Sequence, residues 1–388
     1  MICFSKNYRI FGTRMAAIYY HIPFCKQICS YCDFYRTARI ASLPELVEAM
    51  SCELRARRDY LHGEPIRTRY FGGGTPSLCT PDELRRLLDT TSACFDCSAV
   101  EETTLEANPD DLTTEYLRGL RGIGIDRLSI GIQSFDNACL KLMNRRHTAE
   151  EAEAAVKRAQ DAGFDNITID LIFGVPGYGG ASFEGSVERA LALGVQHISA
   201  YLLSIEPRTR FALLRDRGEL IEPSEEVCEA EFLYLHKRLA AAGFEHYEIS
   251  NFARPGYRAR HNSSYWRGVP YLGVGPAAHS FDGKNRQWNI ASVEKYLAGA
   301  EPEVEQLTET DRINEFLMTR LRTAEGFSLS EFEALFGASE RAKLERDAAA
   351  EIGSGALSKR GDQLLIEAEK MLISDRTIAA LFRETERG

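Results

Sequence analysis

The chain has 388 residues, of which 44% are hydrophobic, and its formal net charge is -10. This length and composition predict a large core divided into two or three domains, or one barrel with an appendage. The acidic balance argues against general nucleic-acid binding, and no apolar run approaches the roughly 18 residues that would predict a membrane span.

Apolar runs alternate with amphipathic stretches after a short predicted lead, residues 1–16. Six runs are predicted strands: Ala17–His21, Arg67–Phe71, Val100–Glu106, Arg127–Gly131, Ile167–Ile172 and His197–Leu203. Five stretches between them are predicted helices: Leu43–Tyr60, Pro81–Ala93, Thr113–Arg121, Thr148–Ala162 and Ser182–Leu193. Six repeats of strand and helix predict a parallel sheet with right-handed crossovers. The spacing leaves open whether this sheet is doubly wound or curls into a full or partial barrel.

Beyond the sixth strand, a helix at Ser224–Ala242 and a strand at His246–Ile249 are predicted. Aromatic, glycine and polar residues then mix without a period from Asn251 to Asn289, which suggests loops that line a site. Helical patterns resume near Thr308. The predicted domains are therefore a core at 17–250, an extension at 251–307 and a small C-terminal domain at 308–388.

Three cysteines crowd into one short loop after the first predicted strand. They stand at Cys25, Cys29 and Cys32, in a chain of ten cysteines without a secretory signal, which indicates thiols in a reducing, cytoplasmic compartment. Structural zinc sites usually have four ligands, and ferredoxin-type clusters are commonly held by four cysteines. A fourth cysteine is missing here because position 34 is Phe. Buried or zinc-bound thiols remain an alternative, but three ligands on a cubane would leave one iron open.

Further polar residues follow the later strands. The second strand ends in Phe71-Gly-Gly-Gly-Thr75-Pro, where glycines allow a ligand to approach the backbone closely. The carboxylate of Asp170 within an apolar strand is costly unless it has a partner. Because these residues stand near the C-terminal ends of successive strands, they are expected to share a barrel active site, with Glu106, Gln133 and Arg145 among them.

The CxxxCxxC loop and these segments resemble the radical S-adenosylmethionine (SAM) superfamily, and within it the oxygen-independent coproporphyrinogen III oxidase-like proteins. The resemblance implies an α/β fold, a partial (β/α)6 TIM-like barrel followed by a mostly helical, winged-helix-like domain. It implies a 4Fe–4S cluster on the three cysteines, with SAM chelating the open iron. The residues that the resemblance assigns to SAM binding are Tyr19, Gly73, Gly74, Thr75, Glu106, Gln133, Arg145 and Asp170.

Two features are similar to one branch of this family, the HemW-type heme chaperones. Oxidases of the family have a fourth cysteine where this chain has Phe34, and a longer segment before the signature. The chaperones carry His-Asn-x-x-Tyr-Trp, and His261-Asn-Ser-Ser-Tyr-Trp266 stands here. A histidine is a common axial ligand of heme iron, so His261 is a predicted heme ligand, with His279 and His21 as other candidates. Four nearby arginines could pair with heme propionates: Arg254, Arg258, Arg260 and Arg267.

The resemblance therefore implies a heme chaperone, with the oxidative decarboxylation of coproporphyrinogen III as the alternative. The expected partners are heme, a heme-acceptor protein and an electron donor. Nucleic acid is not expected, and peripheral contact with membrane-bound acceptors is allowed by this interpretation.

Overall fold

The computed structural model describes residues 15–384, so all of the predicted lead except Met15 and Ala16 lies outside the described residues. The strands are β1 Ala16–Ile22, β2 Ile66–Gly73, β3 Glu102–Ala107, β4 Arg127–Gln133, β5 Ile167–Phe173, β6 His197–Leu202, β7 Glu245–Glu248, β8 Asn251–Ala253, β9 Tyr271–Val274, β10 His279–Phe281, β11 Asn285–Trp288, β12 Glu303–Gln306, β13 Phe327–Ser328, β14 Ser358–Arg360 and β15 Gln363–Leu365. The helices are α1 Leu43–Ala56, α2 Pro81–Cys94, α3 Thr114–Gly122, α4 Asn137–Leu142, α5 Ala149–Asp161, α6 Ala181–Ala192, α7 Arg210–Asp216, α8 Glu225–Ala241, α9 Arg260–Trp266, α10 Val293–Leu297, α11 Glu309–Arg320, α12 Leu329–Phe336, α13 Ala338–Gly353 and α14 Ser374–Ala379.

Strands β1 to β6 lie side by side in chain order, and every neighbouring pair among them is parallel. All six predicted strands form close to their predicted bounds, and the predicted partial barrel is confirmed. Their runs are buried on both faces because helices cover the outside; β5, with the sequence ITIDLIF, shows this pattern. Helix α5 packs with a stripe of small residues, Ala152, Ala155 and Ala159, which lets it approach the sheet closely.

The segment from Asn251 to Asn289 is not the set of loops that its mixed composition suggested. Its short strands extend the same sheet at both edges: β8 pairs antiparallel with β6, and β9 pairs parallel with β1. Strands β10 to β12 continue beyond β9. Strands of three or four residues are too short to show a period of two, so composition alone could not reveal them.

The C-terminal part combines α11 to α14 with a small sheet in the order β13, β15, β14, which is the expected winged-helix-like arrangement. Backbone hydrogen bonds join it to the barrel, since Ile249 N donates to Arg322 O at 2.9 Å and Ala324 N donates to Tyr247 O at 3.0 Å. One apolar core runs from Ala16 to Leu381. Among residues 15–384, no helix is long and apolar enough to cross a membrane.

Candidate functional site

The cysteine loop lies beside the glycine turn after β2 and beside the segment after α4. Thr75 Oγ1 donates to Cys25 Sγ at 3.5 Å, and Arg145 Nη1 donates to Cys29 Sγ at 3.2 Å. Burial raises the pKa of the Cys25 and Cys32 thiols. Within the described part of the chain, no three His, Cys, Asp or Glu side chains converge as the ligands of a single metal ion do. The hydrogen bonds nevertheless show that the predicted residues Cys25 and Cys29, Thr75 and Arg145, from three separate segments, lie together.

A second set of hydrogen bonds holds the cysteine loop against the segment after α4 and against Asp111. Asn144 Nδ2 donates to Ile28 O at 2.8 Å, and Gln27 Nε2 donates to Asn144 Oδ1 at 2.9 Å. Lys26 Nζ donates to Asp111 Oδ1 at 2.8 Å. Asn144 adopts a left-handed conformation with φ 59°, which asparagine tolerates better than most residues. The loop is therefore held by residues whose role sequence reasoning missed.

The barrel interior is lined by every second residue of the strands, since side chains alternate between the two faces. Tyr70 OH donates to Glu106 Oε1 at 2.7 Å, and Gly73 N donates to Glu106 Oε2 at 3.1 Å. A Cβ on Gly72 would lie 2.9 Å from the Tyr70 ring, 3.0 Å from Glu106 and 3.0 Å from the Tyr19 ring. A larger residue at position 72 would have to displace these side chains, so the turn lies directly over them. Period-two counting along β2 would have indicated Tyr70, but no motif marks it.

Two carboxylates, those of Glu106 and Asp170, face this interior, and neither forms an ion pair with a basic side chain of the described residues. Burial raises the pKa of Glu106 to about 7, and the charge of Asp170 adds to this increase. Burial likewise raises the pKa of Asp170 to about 6; its carboxylate accepts from Ser129 Oγ at 3.2 Å. Paired carboxylates in a buried site favour a cationic ligand, which would restore their ionised form. An ammonium or sulfonium group has the charge that such a site selects.

Arg145 and Gln133 do not simply point into the barrel interior, because both contact other protein groups. The guanidinium of Arg145 donates to Asn108 Oδ1 at 2.8 Å as well as to Cys29. Its Nε is buried and has no hydrogen-bond partner in the part of the chain that the structure describes. Gln133 has φ 71° at a bulge of β4, and its amide lies beside Gly131. His21 Nε2 is likewise buried and finds no hydrogen-bond partner among residues 15–384. These orphaned donors and acceptors fit a pocket that holds a polar ligand.

His261 lies inside the barrel rather than on an open surface. Its side chain is almost fully buried, with residue exposure of 1%. Nδ1 is 2.9 Å from Thr68 Oγ1, and Nε2 is 2.9 Å from Tyr265 OH. Burial lowers the pKa of His261 to about 3, so the ring is neutral. Since both ring nitrogens already form hydrogen bonds, His261 offers no free nitrogen to heme iron in this conformation, and its predicted role as a heme ligand stays a prediction.

Arginines line a cavity of about 240 Å³ beside α9. Arg258 and Arg260 belong to it, and Arg67, which sequence reasoning missed, joins them. Arg267 also lines the cavity and forms no ion pair within residues 15–384. Arg254 does not take part; its guanidinium lies 4.7 Å from the Phe244 ring centroid. Three of the four predicted arginines therefore line one cavity, and Arg67 takes the place of Arg254.

The fold and the three-cysteine loop define a radical SAM protein with a second, C-terminal unit. The chain matches the Radical SAM superfamily over residues 19–190 and the HemN C-terminal domain over residues 307–369. The structure of coproporphyrinogen III oxidase (HemN) from Escherichia coli superposes with a TM-score of 0.83, covering 95% of this chain and 90% of that one at 23% identity.

Several heme chaperones are more similar to this chain in sequence than that oxidase is. Heme chaperone HemW of Mycobacterium tuberculosis is 36% identical, covering 94% of each chain. Heme chaperone HemW of Lactococcus lactis is 37% identical over 82% of this chain and 84% of its own, and that of Escherichia coli is 34% identical over 84% and 87%. The chain belongs to the HemW heme chaperone family.

Proposed function

We propose that this protein is a heme chaperone that binds heme and passes it to acceptor proteins. It carries a 4Fe–4S cluster with exchangeable SAM. The observation that carries this proposal is the match of 36% identity to a heme chaperone over 94% of both chains. Phe34 supports it, because this side chain is 71% exposed where the oxidase branch would have a fourth cysteine.

In this proposal Cys25, Cys29 and Cys32 hold the cluster. The two carboxylates of the barrel, Glu106 and Asp170, bind the cationic groups of SAM. Gly73, Gly74 and Thr75 form the turn that contacts SAM. Tyr19, Gln133 and Arg145 complete the SAM-binding residues. When bound, the cluster and SAM supply one-electron chemistry. The chain's own part is to orient the cofactor and to shield it from water.

The arginine cavity is proposed to receive the two propionates of heme. Arg67 and Arg260 share a single carboxylate, that of Glu101, while Arg258 pairs with Glu245 and Glu325. Arg267 adds a charge that these acidic residues leave uncompensated. A guanidinium can bind a carboxylate through two parallel hydrogen bonds, which suits a propionate better than a lysine would.

The function is tested by purifying the protein without oxygen, reconstituting its cluster and titrating heme while recording the Soret band. Coproporphyrinogen III conversion is measured in the same sample. We expect heme uptake near one equivalent and no decarboxylated product beyond the amount of protein. Multiple turnovers would instead support the oxidase alternative, and a failure to bind heme would refute the chaperone.

The propionate contacts are tested with heme dimethyl ester, which lacks both negative charges. The wild type should bind heme at least about tenfold more tightly than the ester, which corresponds to roughly 1.4 kcal/mol. The double variant Arg258→Gln/Arg267→Gln should lose most of this preference. Arg254→Gln/Arg312→Gln removes the same net charge outside the cavity and should keep it. Equal discrimination by both double variants would place the propionates elsewhere.

The same proposal includes the compartment, the heme acceptor and the electron donor. We propose that the protein works in the reducing cytoplasm, where its free thiols stay reduced. Its heme acceptor is a protein, and peripheral contact with a membrane-bound acceptor is one form that delivery would take. An electron donor is needed if the cluster is reduced during transfer.

A further inference from the structure

Helix α9, which carries the hexad His261–Trp266, lies at the N-terminal ends of β2 and β3. The backbone N–H groups of Arg260 and His261 donate to the two oxygens of the buried Glu102 carboxylate, each at 2.9 Å. Glu102 stands on β3 four residues before Glu106. The position of His261 is therefore set by the same strand that carries a carboxylate of the proposed cofactor site.

The ring of His261 is in contact with that site through one tyrosine. It stacks on Tyr70 with ring centroids 4.9 Å apart and planes at 25°. Tyr70 in turn donates its hydroxyl to Glu106, and Glu106 accepts from the backbone of Gly73. Tyr265 also packs edge-on against His261, at 5.1 Å between centroids. Direct contacts thus lead from the hexad to the glycine turn.

We propose that His261 is a positioning residue for the SAM pocket, acting through Tyr70 on Glu106. The imidazole holds the Tyr70 ring at the angle from which its hydroxyl meets the carboxylate. Without the imidazole, a space would open beneath Tyr70, and Glu106 would lose its oriented donor. This inference rests on the cofactor part of the proposed function, and it assigns the hexad a task separate from iron ligation.

The test measures SAM affinity by calorimetry on the anaerobic, cluster-reconstituted protein, with a heme titration on each variant. His261→Ala and Tyr70→Phe should each weaken SAM binding about tenfold, or roughly 1.4 kcal/mol. Their double variant should be little weaker than either alone, because both remove the same contact to Glu106. His261→Phe keeps a flat ring but no nitrogen, so it should retain SAM affinity within about threefold.

His197→Ala is the matched control for general damage to the core. His197 is also fully buried, and its two nitrogens bind Thr168 and Tyr247 at 3.1 and 2.8 Å, so its loss should reduce thermal stability without changing SAM affinity. If His197→Ala loses SAM affinity to the same extent, the effect of His261→Ala reflects general damage to the core, and the inference fails. If His261→Ala and His261→Phe both abolish heme binding while SAM affinity is unchanged, His261 is a heme ligand and the inference fails. If the wild type binds no SAM, the cofactor part of the proposed function fails as well.

Discussion

At the scale of single residues, the chemistry of the site follows from two buried carboxylates, neither of which forms an ion pair within residues 15–384. Glu106 is held by the Tyr70 hydroxyl and the Gly73 N–H, and Asp170 by Ser129. These hydrogen bonds stabilise the ionised forms, but burial outweighs them and raises the pKa of both groups. A bound cation would reverse that balance, so ligand charge and carboxylate ionisation are coupled here.

This coupling predicts that SAM affinity rises with pH. Because the pKa of Glu106 is raised to about 7, its carboxylate gains charge as pH rises through that value, and the attraction for a cation grows. Glu106→Gln should lower the affinity about tenfold at pH 8 and flatten the dependence between pH 6 and 8. Calorimetry at several pH values measures both. The difference between wild type and variant removes the ligand's own titration, and parallel pH profiles would contradict the prediction.

At the scale of elements, the cysteine loop has no regular structure of its own and depends on its neighbours. Irregular loops are generally more mobile than the elements that they connect, so hydrogen bonds from neighbouring elements help to order them. Asn144, after α4, supplies one to Ile28 and receives one from Gln27. Ser30 N also donates to Met143 O at 2.9 Å. The segment after α4 therefore helps to fix the conformation of the cysteine loop between Gln27 and Ser30.

We expect Asn144→Ala to weaken the hold on the cluster. It removes the side-chain hydrogen bonds and places alanine at φ 59°, a change of about 1 to 2 kcal/mol. The iron content after reconstitution should fall, and the cluster's visible absorbance should decay faster in air. Asn144→Gly tolerates the backbone angle but also lacks the side chain, so it separates strain from lost hydrogen bonds. Unchanged iron retention in both variants would mean that the loop holds its shape alone.

At the scale of the whole molecule, the barrel and the C-terminal part share one core. The contact includes backbone bonds at Ile249 and Ala324 and ion pairs from Arg258 to Glu325 and from Arg286 to Glu315. Glu248, buried beside this junction, has its pKa raised to about 7 by burial. Removing one side would expose apolar surface and leave buried polar groups without partners, which is costly.

A chain ending at residue 306 should therefore not fold as a stable barrel. We expect low soluble yield and loss of the cooperative thermal transition that circular dichroism records for the full chain. Arg258→Gln in the full chain is a mild control, because it removes two partly exposed ion pairs, to Glu245 and Glu325, each worth at most about 1 kcal/mol. A soluble truncated protein that still retains its cluster would show that residues 15–306 fold independently.

The amino-acid sequence alone was sufficient for the local features of this protein. Apolar runs that alternate with amphipathic stretches identified the six parallel strands and the helices between them. The CxxxCxxC spacing and Phe34 pointed to the family because these features lie within a few residues of one another. Such patterns are visible in sequence because their physical cause is local.

Only the tertiary structure decided which distant residues share a contact. The hexad motif marked His261 but could not show that Glu102, far away in sequence, turns it into the barrel and that both its nitrogens are engaged. Nor could it show that Arg67 replaces Arg254 in the arginine cavity. The curvature of the sheet and the packing of α9 beneath it set these distances, since residues remote in sequence meet only when the barrel closes.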